Sequence, residues 1–83
     1  MSKAESSDVQ AYVLVDEDEI VYVGFTTNPK ARVLEHQLEG KKFTRFDVIS
    51  GMLSRAEAAK KEADVINAFR AKHEGNTPIY NVI

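Results

Sequence analysis

Five side chains in this sequence have the types and placement to act together: Tyr12, Tyr22, Arg32, His36 and Glu62. Arg32 and His36 stand one helical turn apart, so a guanidinium and an imidazole leave a helix on the same side. The imidazole can carry a proton near neutral pH, and the guanidinium stays charged. Glu62 falls inside the apolar stripe Ala58, Val65, Ile66, Phe69 of a second helix. A carboxylate on that side is costly unless a cation, a metal or a hydrogen-bond donor receives it. Two readings stand: an ion pair with Arg or Lys, or a metal ligand at the core's edge. The two tyrosines share a sheet face only if paired residue numbers sum to an even value. A sum of 34 sets them directly opposite across a three-residue turn, and 35 sends them to opposite faces. Both registers are open, and two ordinarily packed core tyrosines are the plainer reading. His73, at a helix C-terminus where a cation suits the dipole, is assigned no function.

The elements that must position these groups can be read in order. Residues 1–8 are polar and expected to be disordered. Gln10 to Val15 and Ile20 to Phe25 read as strands, joined by the charged turn Asp16-Glu17-Asp18-Glu19 into a hairpin. Both are apolar on both faces, as in the middle of a covered sheet. Asn28 is a suitable N-cap and Pro29 a suitable first residue for a helix over 29–39, beside a Val33/Leu34 stripe, with Gly40 as its stop. Phe43 to Ile49 is a third strand. Ser54 and Glu57 form a capping box for a long helix to His73 or Glu74, ended by Gly75-Asn76, and Pro78 to Ile83 is an extended tail. Strand, strand, helix, strand, helix and tail make a single α+β domain over 9–83, a small three-stranded antiparallel sheet flanked by helices.

Composition narrows the function. Eighty-three residues with 43% apolar content suffice for one core, and there are no cysteines for disulfides, thiolate zinc sites or thiol nucleophiles. No apolar run is long enough for a signal peptide or a bilayer span, so a cytoplasmic protein without a membrane partner is expected. The net charge of –2 is unevenly spread: residues 1–20 carry –5 and residues 21–83 carry +3. The body of the domain is therefore able to meet a phosphate backbone, with its acidic segment turned away.

Taken together, these residues resemble the GIY-YIG nuclease superfamily. Ala11-Tyr12-Val13 matches its first motif and Tyr22-Val23-Gly24 its second. Arg32, ten residues after Tyr22, matches the family's helix arginine, and His36 the histidine that many members carry four residues later. Glu62 matches the metal-binding glutamate of the long helix, and Asn81 in Pro78-Ile79-Tyr80-Asn81 the late asparagine. The matches run from 11 to 81 in the family's order. Ala11 stands where the first motif has Gly, and Phe25 where some members have a lysine that helps activate the base.

The resemblance implies a metal-dependent endonuclease that nicks or cuts nucleic acid, DNA being the expected substrate, with low intrinsic sequence specificity. Glu62 would hold one Mg²⁺ or Mn²⁺, Arg32 would clamp the phosphate, and Tyr12 or Tyr22 would take the proton from the attacking water. Without the family's lysine, His36 is left as the tyrosine's proton acceptor, while Asn81 orders the site by hydrogen bonding. Lys41, Lys42 and Arg45 form the clearest candidate DNA contact, with Arg55, Lys60 and Lys61 as another; a solvated surface explains either equally well. A partner protein or a homodimer would supply specificity. A catalytically silent relative that binds nucleic acid or protein is the alternative. A regulator docking through Asp16–Glu19 is a weaker third.

Overall fold

A computed structural model describes residues 7–81; the expectation of disorder for 1–8 lies outside it except at Ser7 and Asp8, which are exposed and irregular. The elements are β1 (Gln10–Asp16), β2 (Glu19–Thr26), α1 (Pro29–Leu38), β3 (Arg45–Val48) and α2 (Arg55–Lys72). The three strands form an antiparallel sheet in the order β2-β1-β3, so the expected α+β architecture is the observed one. Only β1 is central. Ala11 to Val15 are all buried, as a strand without polar positions requires. β2, read as a mid-sheet strand, is an edge strand, because β3 returns to the other side of β1.

The hairpin keeps neither register weighed from the sequence along its whole length. Asp16 pairs with Glu19, leaving Glu17 and Asp18 as a two-residue loop with φ of 51° and 66°. That is the backbone of a type I′ turn, whose twist suits a hairpin. Its pairs sum to 35, the value that would split the tyrosines, but Val21 bulges out between Ile20 and Tyr22. Beyond the bulge Leu14 faces Tyr22 and Tyr12 faces Gly24. One extra residue thus returns both phenols to the same sheet face, diagonally offset rather than opposite.

The other face carries the apolar core. Val13, Val15 and Val23 pack with Ile49 and with Val65 and Ile66 of α2. Ala58 is buried and Glu62, Val65, Ile66 and Phe69 are half-buried, so the stripe read from the sequence faces the sheet. Ser54 and Glu57 make the expected capping box. The helix stops one residue early: Glu74, not Gly75 alone, takes a left-handed conformation, at φ 58°.

α1 departs from expectation more sharply. Asn28 accepts from Ala31 N–H and Pro29 opens the helix, as expected. Its apolar residues, however, do not bury: Leu34 is 59% and Leu38 87% exposed, and His36 is the one buried residue. Of the Val33/Leu34 stripe only Val33 is half-buried, so apolar packing is not what mainly docks this helix. Hydrogen bonds from the Arg32/His36 side attach this helix in its place. β3, at Arg45–Val48, is also shorter than the expected Phe43–Ile49. The tail over 77–81 is a turn, not an extended segment, with Asn81 N–H bonded to Pro78 C=O; residues 82–83 lie outside the described residues.

Candidate active site

Tyr12 is the hub. Its hydroxyl lies 2.7 Å from His36 Nε2 and accepts from Arg32 Nε–H at 3.2 Å. Its ring stacks on Phe46, centroids 4.5 Å apart, and Tyr22 lies beside His36 at 4.9 Å. Both Tyr12 and His36 have no solvent exposure. Gly24 is required here: a Cβ would meet the Tyr12 hydroxyl at 2.9 Å and Tyr22 Cε2 at 2.8 Å. This is close approach, not backbone conformation, and it explains the glycine at the end of β2.

Burial sets the protonation states. It pushes the Tyr12 phenol up to about 12, against a downward pull from Arg32's hydrogen bond. It holds His36 below its usual value, helped by the positive charges of Arg32 and Lys41. Glu35, bonded at 2.7 Å, and then Tyr12 push Arg32 further up, so it is always charged. His36 is therefore neutral. With Arg32 already donating to the Tyr12 oxygen, the phenolic O–H is free to donate to Nε2, which puts the imidazole proton on Nδ1.

In front of this hub a cleft of about 490 Å³ opens at the β2 edge, lined by Tyr22, Arg32 and Lys41 on one side and by Glu62 and Arg70 on the other. Asn81 closes one wall: its side chain accepts from Val23 N–H at 2.8 Å and donates to Val23 C=O at 2.9 Å. Of the six residues singled out from the sequence, four line the cleft: Tyr22, Arg32, Glu62 and Asn81. Tyr12 and His36 lie behind it, reached through Arg32 and Tyr22.

With this geometry in hand, comparison with known proteins gives a match to a UPF0213 protein of Natronomonas pharaonis. It is 36% identical over 76 residues, covering 83% of this chain and 89% of the relative. The chain belongs to the UPF0213 family. No family model matches it, and no solved structure matches it.

In this UPF0213 chain Glu62 is half-buried, and burial alone raises its pKa, no cation acting on it. The ion-pair reading of Glu62 is therefore not realised among the described residues. No three His, Asp or Glu side chains converge as a metal cage among the described residues. The donor set fits a hard cation held by one carboxylate, with water and a ligand's oxygens completing its shell.

The basic cluster of the UPF0213 chain divides. Lys41 is in the cleft, its ammonium 5.6 Å from the Tyr22 ring and 2.6 Å from Glu39. Lys42 and Arg45 lie outside it, near Asp16 at 4.0 Å and Asp47 at 2.7 Å respectively. In the second cluster Lys60 pairs with Asp64 at 3.0 Å. Sequence reasoning missed Arg70 and Tyr80 as cleft residues. Arg70 was findable, since Glu62, Ile66 and Arg70 recur every four residues on one helix face. Tyr80 was not, because its place depends on the tail turning to bond Val21 C=O. A second cavity of about 400 Å³ lies away from these groups, between the hairpin turn and the end of α2, floored by Ile20, Val65 and Phe69. No helix among the described residues is long and apolar enough to cross a membrane.

Proposed function

We propose that this chain is a GIY-YIG-type endonuclease that hydrolyses nucleic-acid phosphodiesters, DNA being the expected substrate, with one Mg²⁺ or Mn²⁺. The observation that carries this reading is the hydrogen-bonded set Arg32–Tyr12–His36 behind a cleft that also presents an unpaired carboxylate, Glu62. Arg32, Lys41 and Arg70 give the cleft the cations a phosphate requires. Glu62 would hold the metal ion, whose chemistry there is to neutralise charge on the scissile phosphate and the leaving oxygen.

Proton traffic runs through Tyr12. Arg32 covers its hydroxyl in the resting site. As Arg32 turns to a phosphate oxygen, the attacking water can give its proton to the Tyr12 oxygen while the phenolic proton crosses to His36 Nε2. Burial raises the phenol to about 12 and lowers the imidazole, so the resting pair is neutral and the proton moves as the water attacks. Tyr22, on the cleft wall, orients the phosphate. Phosphate contacts carry no sequence information, so intrinsic specificity is low and a partner protein or second copy would supply it.

The test is supercoiled plasmid with Mg²⁺ or Mn²⁺, with and without EDTA, beside Arg32→Ala and Glu62→Gln. Relaxation by the wild type, lost with chelator and in both variants, supports the reading. One observation favours a silent binding module: Arg32 and Lys41 are both tied to carboxylates, Glu35 and Glu39, and Tyr12 is sealed. Retained binding without cleavage of DNA or RNA would establish that alternative.

A further inference from the structure

The C-terminal end of α1 sets four groups in a line. Tyr12 meets His36 Nε2 at 2.7 Å, His36 Nδ1 lies 3.5 Å from Glu39 Oε1, and the same oxygen takes Lys41 Nζ at 2.6 Å. The middle link is incomplete. His36 Nδ1 is buried without a hydrogen-bond partner among the described residues, though it must carry the ring proton if Nε2 accepts from Tyr12. A buried donor left open is costly, and Glu39 is its neighbouring acceptor. Lys41 holds that acceptor away.

The backbone of this assembly is fixed. Lys41 N–H bonds His36 C=O and Gly40 N–H bonds Gln37 C=O, with Gly40 at φ 83°. This pair of bonds is a Schellman motif, and it folds Lys41 back beside His36. Only side chains need to move. Lys41 also faces outward, lining the cleft between the rings of Tyr22 and Tyr80.

We propose that Glu39 is a positioning residue shared between Lys41 and His36: a phosphate in the cleft draws Lys41 off, and Glu39 then closes on His36 Nδ1–H. The closed chain Glu39–His36–Tyr12 fixes the tautomer whose Nε2 accepts. It also stabilises the imidazolium formed when the Tyr12 O–H bond breaks and its proton crosses to Nε2. The water's O–H bond breaks at the same time, its proton replaces the one lost by Tyr12, the water oxygen bonds phosphorus, and the P–O bond to the leaving oxygen breaks with its electron pair, that oxygen taking a proton from solvent. One proton leaves water and one arrives on His36. An empty cleft keeps its base weak, and an occupied one strengthens it. The phosphate belongs to the endonuclease reading; the contacts among the four groups do not depend on it.

The charged and titratable groups around His36 are Tyr12 from β1, Tyr22 from β2, Arg32, Glu35 and Glu39 on or ending α1, and Lys41 after it. Arg32 and Lys41 disfavour the imidazolium, and Glu39 and Glu35 favour it. The experiment is an NMR titration of ¹⁵N-labelled His36 in metal-free, DNA-free protein, for wild type, Lys41→Gln, Glu39→Gln and the double variant. Lys41→Gln is expected to raise the His36 pKa by about one unit, and by less than half as much when Glu39→Gln is present. Equal rises in both backgrounds would mean that Lys41 acts by its charge alone and would overturn the proposal, as would no rise at all. In plasmid cleavage, Glu39→Gln should lower kcat about tenfold with KM unchanged, and a KM effect alone would count against it. Absence of cleavage by the wild type would sink the endonuclease reading, while the titration would still decide the switch.

Discussion

Replacing Gly24 with alanine tests whether the Tyr12 hydroxyl is held where the chemistry needs it. The new methyl would lie 2.8 Å from Tyr22 Cε2, 2.9 Å from the Tyr12 hydroxyl oxygen and 3.1 Å from Tyr12 Cζ. Comfortable separations are about 3.5–4.0 Å, so something must shift by roughly half an ångström or more. Tyr12 cannot easily retreat, because Phe46 stacks on its ring at 4.5 Å and His36 sits 2.7 Å from its oxygen. The Arg32 bond, at 3.2 Å, is already near the outer limit and would be lost first. Overpacking costs about 1–3 kcal/mol, and loosening a buried hydrogen bond adds about 1 kcal/mol. For a domain of this size each kcal/mol lowers Tm by roughly 4–8 °C, so a fall of about 8–30 °C is expected. Thermal denaturation followed by circular dichroism measures it, with plasmid relaxation in parallel. Gly51→Ala is the control, since a Cβ there meets nothing within 4 Å. If Gly24→Ala melts and cleaves like the control, the tight hub described above does not exist.

Three further outcomes follow from other parts of the chain. Glu74→Gly relieves a left-handed residue at φ 58° and should stabilise by about 0.5–1 kcal/mol, read as a higher urea midpoint with unchanged slope. His73 places Nδ1 2.8 Å from Phe69 C=O and Nε2 3.0 Å from Glu19, and both contacts raise its pKa, the backbone one more. Its stabilisation is therefore present below the unfolded value and lost as pH rises through the folded one; comparing Tm across that window in wild type and His73→Gln should show the loss only in wild type. His36 runs the opposite way, since burial lowers its pKa. Stability and cleavage should both fall as pH drops below about 6.5 and through the folded value, and a cleavage rate flat on the acid side would count against His36 as the proton acceptor.

The sequence made some of this legible and concealed the rest for physical reasons. Caps and periodicity are local, so Asn28, Pro29, the Ser54/Glu57 box and the Ala58–Phe69 stripe with Glu62 inside it could all be read directly. The register of the hairpin could not, because Val21 drops out of the ladder and a Glu-Asp pair adopts a turn normally given to Asn-Gly. The docking face of α1 was misread because hydrophobicity picks out Val33 and Leu34, whereas the one fully buried side chain is His36, hydrogen-bonded to Tyr12. Lys41 looked like part of a surface patch with Lys42 and Arg45. Gly40 was legible as the helix stop, but not the bond from Lys41 N–H to His36 C=O that brings Lys41 back over the helix end.

The amide of Asn81 stands in for a fourth strand. An outermost strand normally exposes donors and acceptors that invite a foreign chain to zip alongside. Here a single side chain occupies both groups of Val23, and Tyr80 N–H occupies the carbonyl of the bulged Val21. The same few residues that shape the wall of the cleft therefore also guard the molecule against self-association. Asn81→Asp would keep an acceptor, lose the donor and set a carboxylate against a carbonyl. Concentration-dependent oligomers would then accompany any change at the cleft, so solubility and chemistry cannot be tuned independently at this position.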